Sequence, residues 1–216
     1  MGKDSTHDHW WWRPGWRVGR SFYTWHVTFT DDSPVRRLVD LFEPLLMQIP
    51  TMDPVGKEGL HITVQGVGFT DEITAPDAER IAHAATEHLS RRQPFNALIG
   101  PPTVDEETIG MPISSTESFQ QVRNALQQAI ADVWGIDNVP ERHDRFRPHL
   151  TLAYSTGEAS VIDLRDLLTR NRLSDIEVVE QVKAVSLIEL NRDNHRYEWR
   201  EIAKVPLGTP NSAEIQ

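Results

Sequence analysis

The 216-residue chain contains no cysteine, which excludes disulfides, thiolate nucleophiles and cysteine-ligated zinc sites. No apolar run approaches the roughly 18 residues that mark a membrane-spanning helix. Met1–His9 is polar and lacks the apolar stretch of a secretory signal, so a cytoplasmic protein with no membrane partner is expected. Basic residues are also few: 22 Lys and Arg stand against 32 Asp and Glu, a net charge of −10. Proteins that wrap long nucleic acid ordinarily carry a basic surplus, because neutralised phosphates release counterions. A long duplex partner is therefore not expected, and any nucleic-acid substrate should be short and held by a local basic patch. Also missing are a His-x-x-x-His pair, an acidic triad and a glycine-rich phosphate loop. Metal ligation and P-loop chemistry are accordingly not expected, and no cofactor is implied.

Tryptophan, by contrast, is concentrated. Trp10, Trp11, Trp12 and Trp16 lie among Arg13, Arg17 and Arg20, with Pro14 and Gly15 between them. Residues 1–20 therefore read as an arm whose rings either pack over their own domain or offer a stacking surface for bases. His7 and His9 are expected to move with it. The body, 21–206, reads as a single domain, with 207–216 as a C-terminal tail.

Within the body, strand-like and helix-like stretches alternate. Ser21–Thr30, Leu60–Val67, Phe95–Ile99, Thr108–Ile113, Arg145–Tyr154, Ile176–Val182, Ala184–Leu190 and Tyr197–Val205 are rich in β-branched and aromatic residues and read as strands. Helices are expected from Pro34 to Gln48, where Leu38, Leu41, Phe42, Leu45 and Leu46 recur near the helical period, and over Ala75–Ser90, Ser115–Trp134 and Val161–Arg170. Pro50–Gly59 reads as a loop, and Asn191–Asn194 as a hairpin turn. Each half runs strand, helix, strand, helix and further strands. That order suggests an α+β fold of two lobes related by a pseudo-two-fold axis.

Two of the strands carry the same tripeptide, His61-Ile62-Thr63 and His149-Leu150-Thr151. Strand side chains alternate faces, so each His and Thr share a face opposite an apolar one. Two imidazoles titrating near neutrality can serve as general base and general acid in one turnover. The threonine hydroxyls can donate to phosphate oxygens. Arg145 and Arg147, in phase with His149 on an extended strand, are candidates to hold phosphate. His26-Val27-Thr28 repeats the tripeptide on the first strand, where His26 should share the cleft side with Phe22, Thr24 and Thr28; it is either a candidate substrate contact or a structural, hydrogen-bonded histidine. Tyr154 is out of phase with His149, so its entry to the cleft requires a bulge or turn.

The segments LHITVQGVGF (Leu60–Phe69) and PHLTLAYS (Pro148–Ser155), 149 − 61 = 88 residues apart, resemble the paired motifs of the two-histidine phosphoesterase superfamily, which includes 2′-5′ RNA ligase-like proteins and cyclic nucleotide phosphodiesterases. FYTWHVTF, ADVWG and the terminal NRD…YEW resemble its actinobacterial members. The resemblance spans most of 21–205. It implies a bilobal α+β fold with two antiparallel sheets flanking a central cleft and helices outside. It also implies metal-independent opening of 2′,3′-cyclic phosphates, on RNA ends or small nucleotides, to 2′-phosphates. His61, Thr63, His149 and Thr151 form the catalytic set carried over by the resemblance, which also implies a nucleotide or RNA terminus as substrate; a monomer is expected. Where the ligase-like branch has an arginine three residues after the second threonine, this chain has Tyr154, which resembles the plant and yeast cyclic phosphodiesterase branch. That departure favours hydrolysis over end joining. The alternatives are a nucleotide- or RNA-binding module without chemistry, and a 2′-5′ ligase or 2′-5′ phosphodiesterase. His149 is assigned as the base for water and His61 as the acid, an order the motifs themselves leave open.

Overall fold

The computed structural model describes residues 4–142 and 145–208. Strands β1 (Phe22–Thr28), β3 (His61–Phe69), β9 (Ala184–Asn191) and β10 (Glu198–Pro206) form an antiparallel sheet in the order β10-β9-β1-β3. A second antiparallel sheet, β2-β7-β6-β5, holds β2 (Met52–Pro54), β5 (Thr103–Val104), β6 (Thr108–Pro112) and β7 (His149–Ser155). A separate two-stranded ladder pairs β4 (Phe95–Ile99) with β8 (Val178–Val182).

Four helices cover the outer faces: α1 (Arg36–Leu46), α2 (Ala75–Ser90), α3 (Thr116–Trp134) and α4 (Val161–Arg170). α2 and α3 lie side by side, α2 against β10 and α3 against β3, whereas α1 packs on β2 and β7 and α4 on β5. Helix starts follow from local capping chemistry. The Thr74 and Ser160 hydroxyls accept hydrogen bonds from the Asp77 and Asp163 amides at 3.2 Å, satisfying otherwise orphaned donors at the heads of α2 and α4. The α+β fold expected from the sequence is the one observed.

The halves are interlaced. β2 comes from the first half but extends the sheet of the second, while β9 and β10 come from the chain's end and complete the sheet built on β1. One apolar core results, with Trp25, Phe42, Phe119, Ile62 and Leu126 fully buried in it. Two expectations need correction. α1 starts at Arg36 and turns Leu41 outward at 45% exposed, with Val39 taking the inward place. Pro50–Gly59 is not wholly a loop: Met52–Pro54 pairs with β7 as an edge strand, where a proline lacking N–H is tolerated. The expected tail beyond Gly208 lies outside the described residues. Among the described residues, no helix is long and apolar enough to cross a membrane.

Candidate active site

β3 and β7 both begin on a motif histidine. His61 donates its Nδ1–H to the Gly59 carbonyl at 2.8 Å, and His149 donates its Nδ1–H to the Arg147 carbonyl at 3.0 Å. In each case the acceptor lies two residues upstream. A carbonyl can only accept, so each ring carries a proton on Nδ1, and in its neutral form leaves Nε2 with a free lone pair. Each strand then bulges immediately after its threonine. β3 has an extra residue at Val64, between the pairs His26↔Thr63 and Trp25↔Gln65. β7 has one at Leu152, between Gly110↔Thr151 and Ile109↔Ala153. A bulge shifts the alternation by one residue. It therefore brings Tyr154 to the same side as His149 and Thr151, and Gly66, its counterpart on β3, to the side of His61 and Thr63.

A cavity of about 950 Å³ lies between the sheets, and His26, His61, Thr63, His149, Thr151 and Tyr154 all line it. His26 sits on the cleft face of β1 beside Phe22 and Thr24, with Tyr23, Trp25 and Val27 buried behind. Its ring stacks on His61, centroids 4.4 Å apart and planes 6° from parallel. Its Nε2 lies 3.2 Å from Thr63 Oγ1, while its buried Nδ1 has no partner. Burial, with the neighbouring His61 adding to it, pushes the His26 pKa well below the ordinary histidine value. His61 is lowered to about 4, chiefly by burial; the Gly59 carbonyl opposes the shift and His149 adds to it. Burial raises the Tyr154 phenol well above its usual range, and neighbouring Tyr197 adds to the effect.

Arg145 and Arg147 do not join this group. Both are exposed and neither lines the cavity. β7 starts at His149 rather than Arg145, and residues 145–148 follow an irregular path, so strand alternation does not govern where these side chains point. The cavity's cations are Arg13 and Arg165 instead, and its acids include Asp105, Glu106, Glu107 and Glu141. Among the described residues, no group of three or more His, Cys, Asp or Glu is arranged to hold a metal ion.

The arm is part of the wall. Ser5 bridges to Ser160, and the amides of Thr6, His7 and His9 donate to Ala159, Glu106 and Ser155 at 2.8 Å each. Glu107 receives His7 Nε2 and His9 Nδ1 at 3.0 Å each, Trp11 Nε1 at 3.2 Å, and the Arg13 guanidinium. Burial raises the Glu107 carboxyl, but the Trp11 hydrogen bond and the Arg13 charge outweigh it and hold the group down at about 2. His9 stacks on Tyr154 at 4.3 Å and accepts from the Tyr197 hydroxyl at 2.9 Å. Burial, then Arg13, lowers its pKa to about 4. The two arm histidines, expected to be mobile, are thus anchored, and His9 is buried. Sequence reasoning missed Arg13, Trp16, Arg165 and Tyr197 as cavity residues. Only the clustering of Trp and Arg in the arm hinted at the first two.

Two His-x-Thr strands facing one cavity across an α+β bilobal frame define a two-histidine phosphoesterase architecture. Residues 20–194 match the model of the 2′-5′ RNA ligase superfamily, and the chain belongs to that family. Among solved structures it is similar to TT0787 of Thermus thermophilus, at TM-score 0.65 and 15% identity over 88% of this chain and 100% of that one. It is also similar to E. coli LigT in apo form, at TM-score 0.60 and 13% identity over 88% of this chain and 99% of that one. E. coli LigT complexed with 3′-AMP gives TM-score 0.58 at 14% identity, again over 88% of this chain and 99% of that one. No curated protein matches the chain in sequence.

Proposed function

We propose that the chain is a phosphodiesterase that opens 2′,3′-cyclic phosphates on nucleotides or RNA ends to 2′-phosphates, with His61 and His149 as the acid/base pair. The observation that carries this reading is the matched anchoring of the two histidines. Both rings are held by a carbonyl two residues back, each with a threonine two residues on, and all four side chains line one cavity. LigT, similar in fold, has been solved with 3′-AMP, which agrees with a nucleotide-sized substrate here.

Burial keeps His61 neutral, with a pKa of about 4. A neutral ring with a free Nε2 suits the base, so the order of roles we favour reverses the one expected from the sequence. His61 Nε2 takes a proton from water as its oxygen attacks phosphorus. The P–O3′ bond breaks, and protonated His149 gives its Nε2 proton to the departing O3′. A 2′-phosphate and a free 3′-hydroxyl result, and the two rings exchange protons with solvent to reset. Thr63 and Thr151 donate to the non-bridging oxygens as charge builds on them. No step in this reading calls for a metal.

The test is release of 2′-phosphate from nucleoside 2′,3′-cyclic phosphates in excess chelator. His61→Ala and His149→Ala should each lower turnover roughly 10²- to 10⁴-fold, the usual range for a lost acid or base. Near-native turnover in either variant would refute the pairing. Binding of a nucleoside monophosphate with no turnover of any cyclic or 2′-5′ linked substrate would identify a binding module instead.

A further inference from the structure

The family match begins at residue 20, so the arm before it lies outside the shared domain. Yet the arm supplies four of the cavity's lining side chains: His7, His9, Arg13 and Trp16. We infer that Trp16, set against Phe22, forms a subsite in which the base of the substrate stacks, so that the arm selects nucleotides over bare phosphate esters. The inference rests on the phosphodiesterase reading and adds the part of the substrate that the two histidines do not contact.

Local sequence puts the ring there. Arg13-Pro14-Gly15-Trp16 is a tight turn closed by the Trp16 amide donating to the Arg13 carbonyl at 2.9 Å. Proline at the second position and glycine with φ +84° at the third are the signature of a type II turn. Gly15 is needed for a second reason. A Cβ there would stand 2.7 Å from the Phe69 ring, so only glycine lets the turn lie flat on β3. Trp16 then meets Phe69 edge-on at 5.2 Å and Phe22 at 5.8 Å.

Downstream, buried Arg20 ties the turn to the body. It donates to the Gly15 carbonyl and pairs with Asp71 at 2.7 Å and Glu72 at 2.6 Å. Upstream, Glu107 clamps His7, His9, Trp11 and Arg13, as described above. Arg192, itself buried, donates to the His9 carbonyl at 2.8 Å and lies 5.9 Å from the Trp16 ring. A ring fastened on both sides loses little entropy on meeting a ligand. Trp16 and Phe22 both stay part-exposed in the cavity wall that also holds the histidines. Part-exposed aromatic faces continuous with a phosphate-handling centre suit a planar ring, which is what a nucleobase offers.

The experiment titrates the full chain by calorimetry with two non-reacting probes, adenosine 2′-monophosphate and inorganic phosphate. Three variants are compared: Trp16→Leu, Trp16→Phe and Trp12→Ala. Leucine keeps apolar packing on Phe22 and Phe69 but removes the flat ring, phenylalanine restores one, and Trp12 is an exposed arm residue outside the cavity wall. The expected result is that wild type binds the nucleotide more tightly than phosphate. Trp16→Leu should weaken nucleotide binding roughly 5- to 150-fold, the range for a lost base–aromatic stack, with phosphate unchanged. Trp16→Phe should recover part of the loss, and Trp12→Ala should behave as wild type. Unchanged nucleotide affinity in Trp16→Leu, or equal loss for both probes, would overturn the subsite while leaving the phosphodiesterase reading standing. Failure of wild type to bind either probe would overturn both.

Discussion

Acid should destabilise this protein before its carboxylates titrate. Three histidines, His9, His26 and His61, line the cavity and are held neutral by burial. His9 and His61 are lowered from 6.5 to about 4, and His26 well below its ordinary value. The unfolded chain binds protons at these positions near pH 6.5, whereas the folded chain resists them. The stability they contribute is therefore complete above pH 6.5 and is lost as pH falls toward 4. For one histidine shifted from 6.5 to about 4, proton linkage gives a loss of about 2 kcal/mol between pH 6.5 and 4.5. His9 and His61 together give about 4 kcal/mol, and His26 adds to it, against a total of roughly 5–15 kcal/mol for an ordinary domain. Urea unfolding at pH 7.5, 6.5, 5.5 and 4.5 measures this. His9→Gln can still donate to Glu107 and accept from Tyr197 but does not titrate, so its decline should be shallower by about 2 kcal/mol across the window. A wild-type midpoint that is flat from pH 7.5 to 4.5, or a His9→Gln slope equal to wild type, would refute the reasoning.

Two further outcomes are expected. If neutral His61 is the base, the acid limb of kcat/KM for a 2′,3′-cyclic phosphate should fall toward pH 4; a limb near 6.5 would refute His61 as the base. Gly100 holds φ +117°, and a Cβ there would lie 2.6 Å from the Ile176 carbonyl oxygen. Gly100→Ala should thus cost at least ~2 kcal/mol in urea unfolding, and a wild-type midpoint would contradict the geometry.

Much of the frame was legible because periodicity reports burial. Ala75–Ser90 and Val161–Arg170 begin and end where their apolar pattern puts them. The cleft side of β1 and the need for a bulge or turn before Tyr154 also followed from alternation. Alternation fails where the ladder does. Arg145 and Arg147 were placed by a strand that begins only at His149, after Pro148. The bulge at Val64 on β3 leaves no mark in composition, since Val64 is as strand-like as its neighbours. The arm was opaque for a different reason. Its position is set by contacts 94 to 100 residues away at Glu107 and 183 residues away from Arg192 to His9, which no local pattern encodes.

The exchange of strands between lobes constrains the order in which the chain can acquire structure. β1 is a central strand, yet one of its two neighbours is β9, where Trp25 faces Leu187; 187 − 25 = 162 residues separate them. At ribosomal rates of roughly 5–20 residues per second, β1 waits about 8–30 s for that neighbour to be synthesised. Through that interval Tyr23, Trp25 and Val27 sit on a strand with one open edge, the condition under which nascent chains pair wrongly with each other. The protein can close this sheet only after β9 has been made. Its yield in a cell should depend on holding chaperones more than the modest size of the domain would suggest.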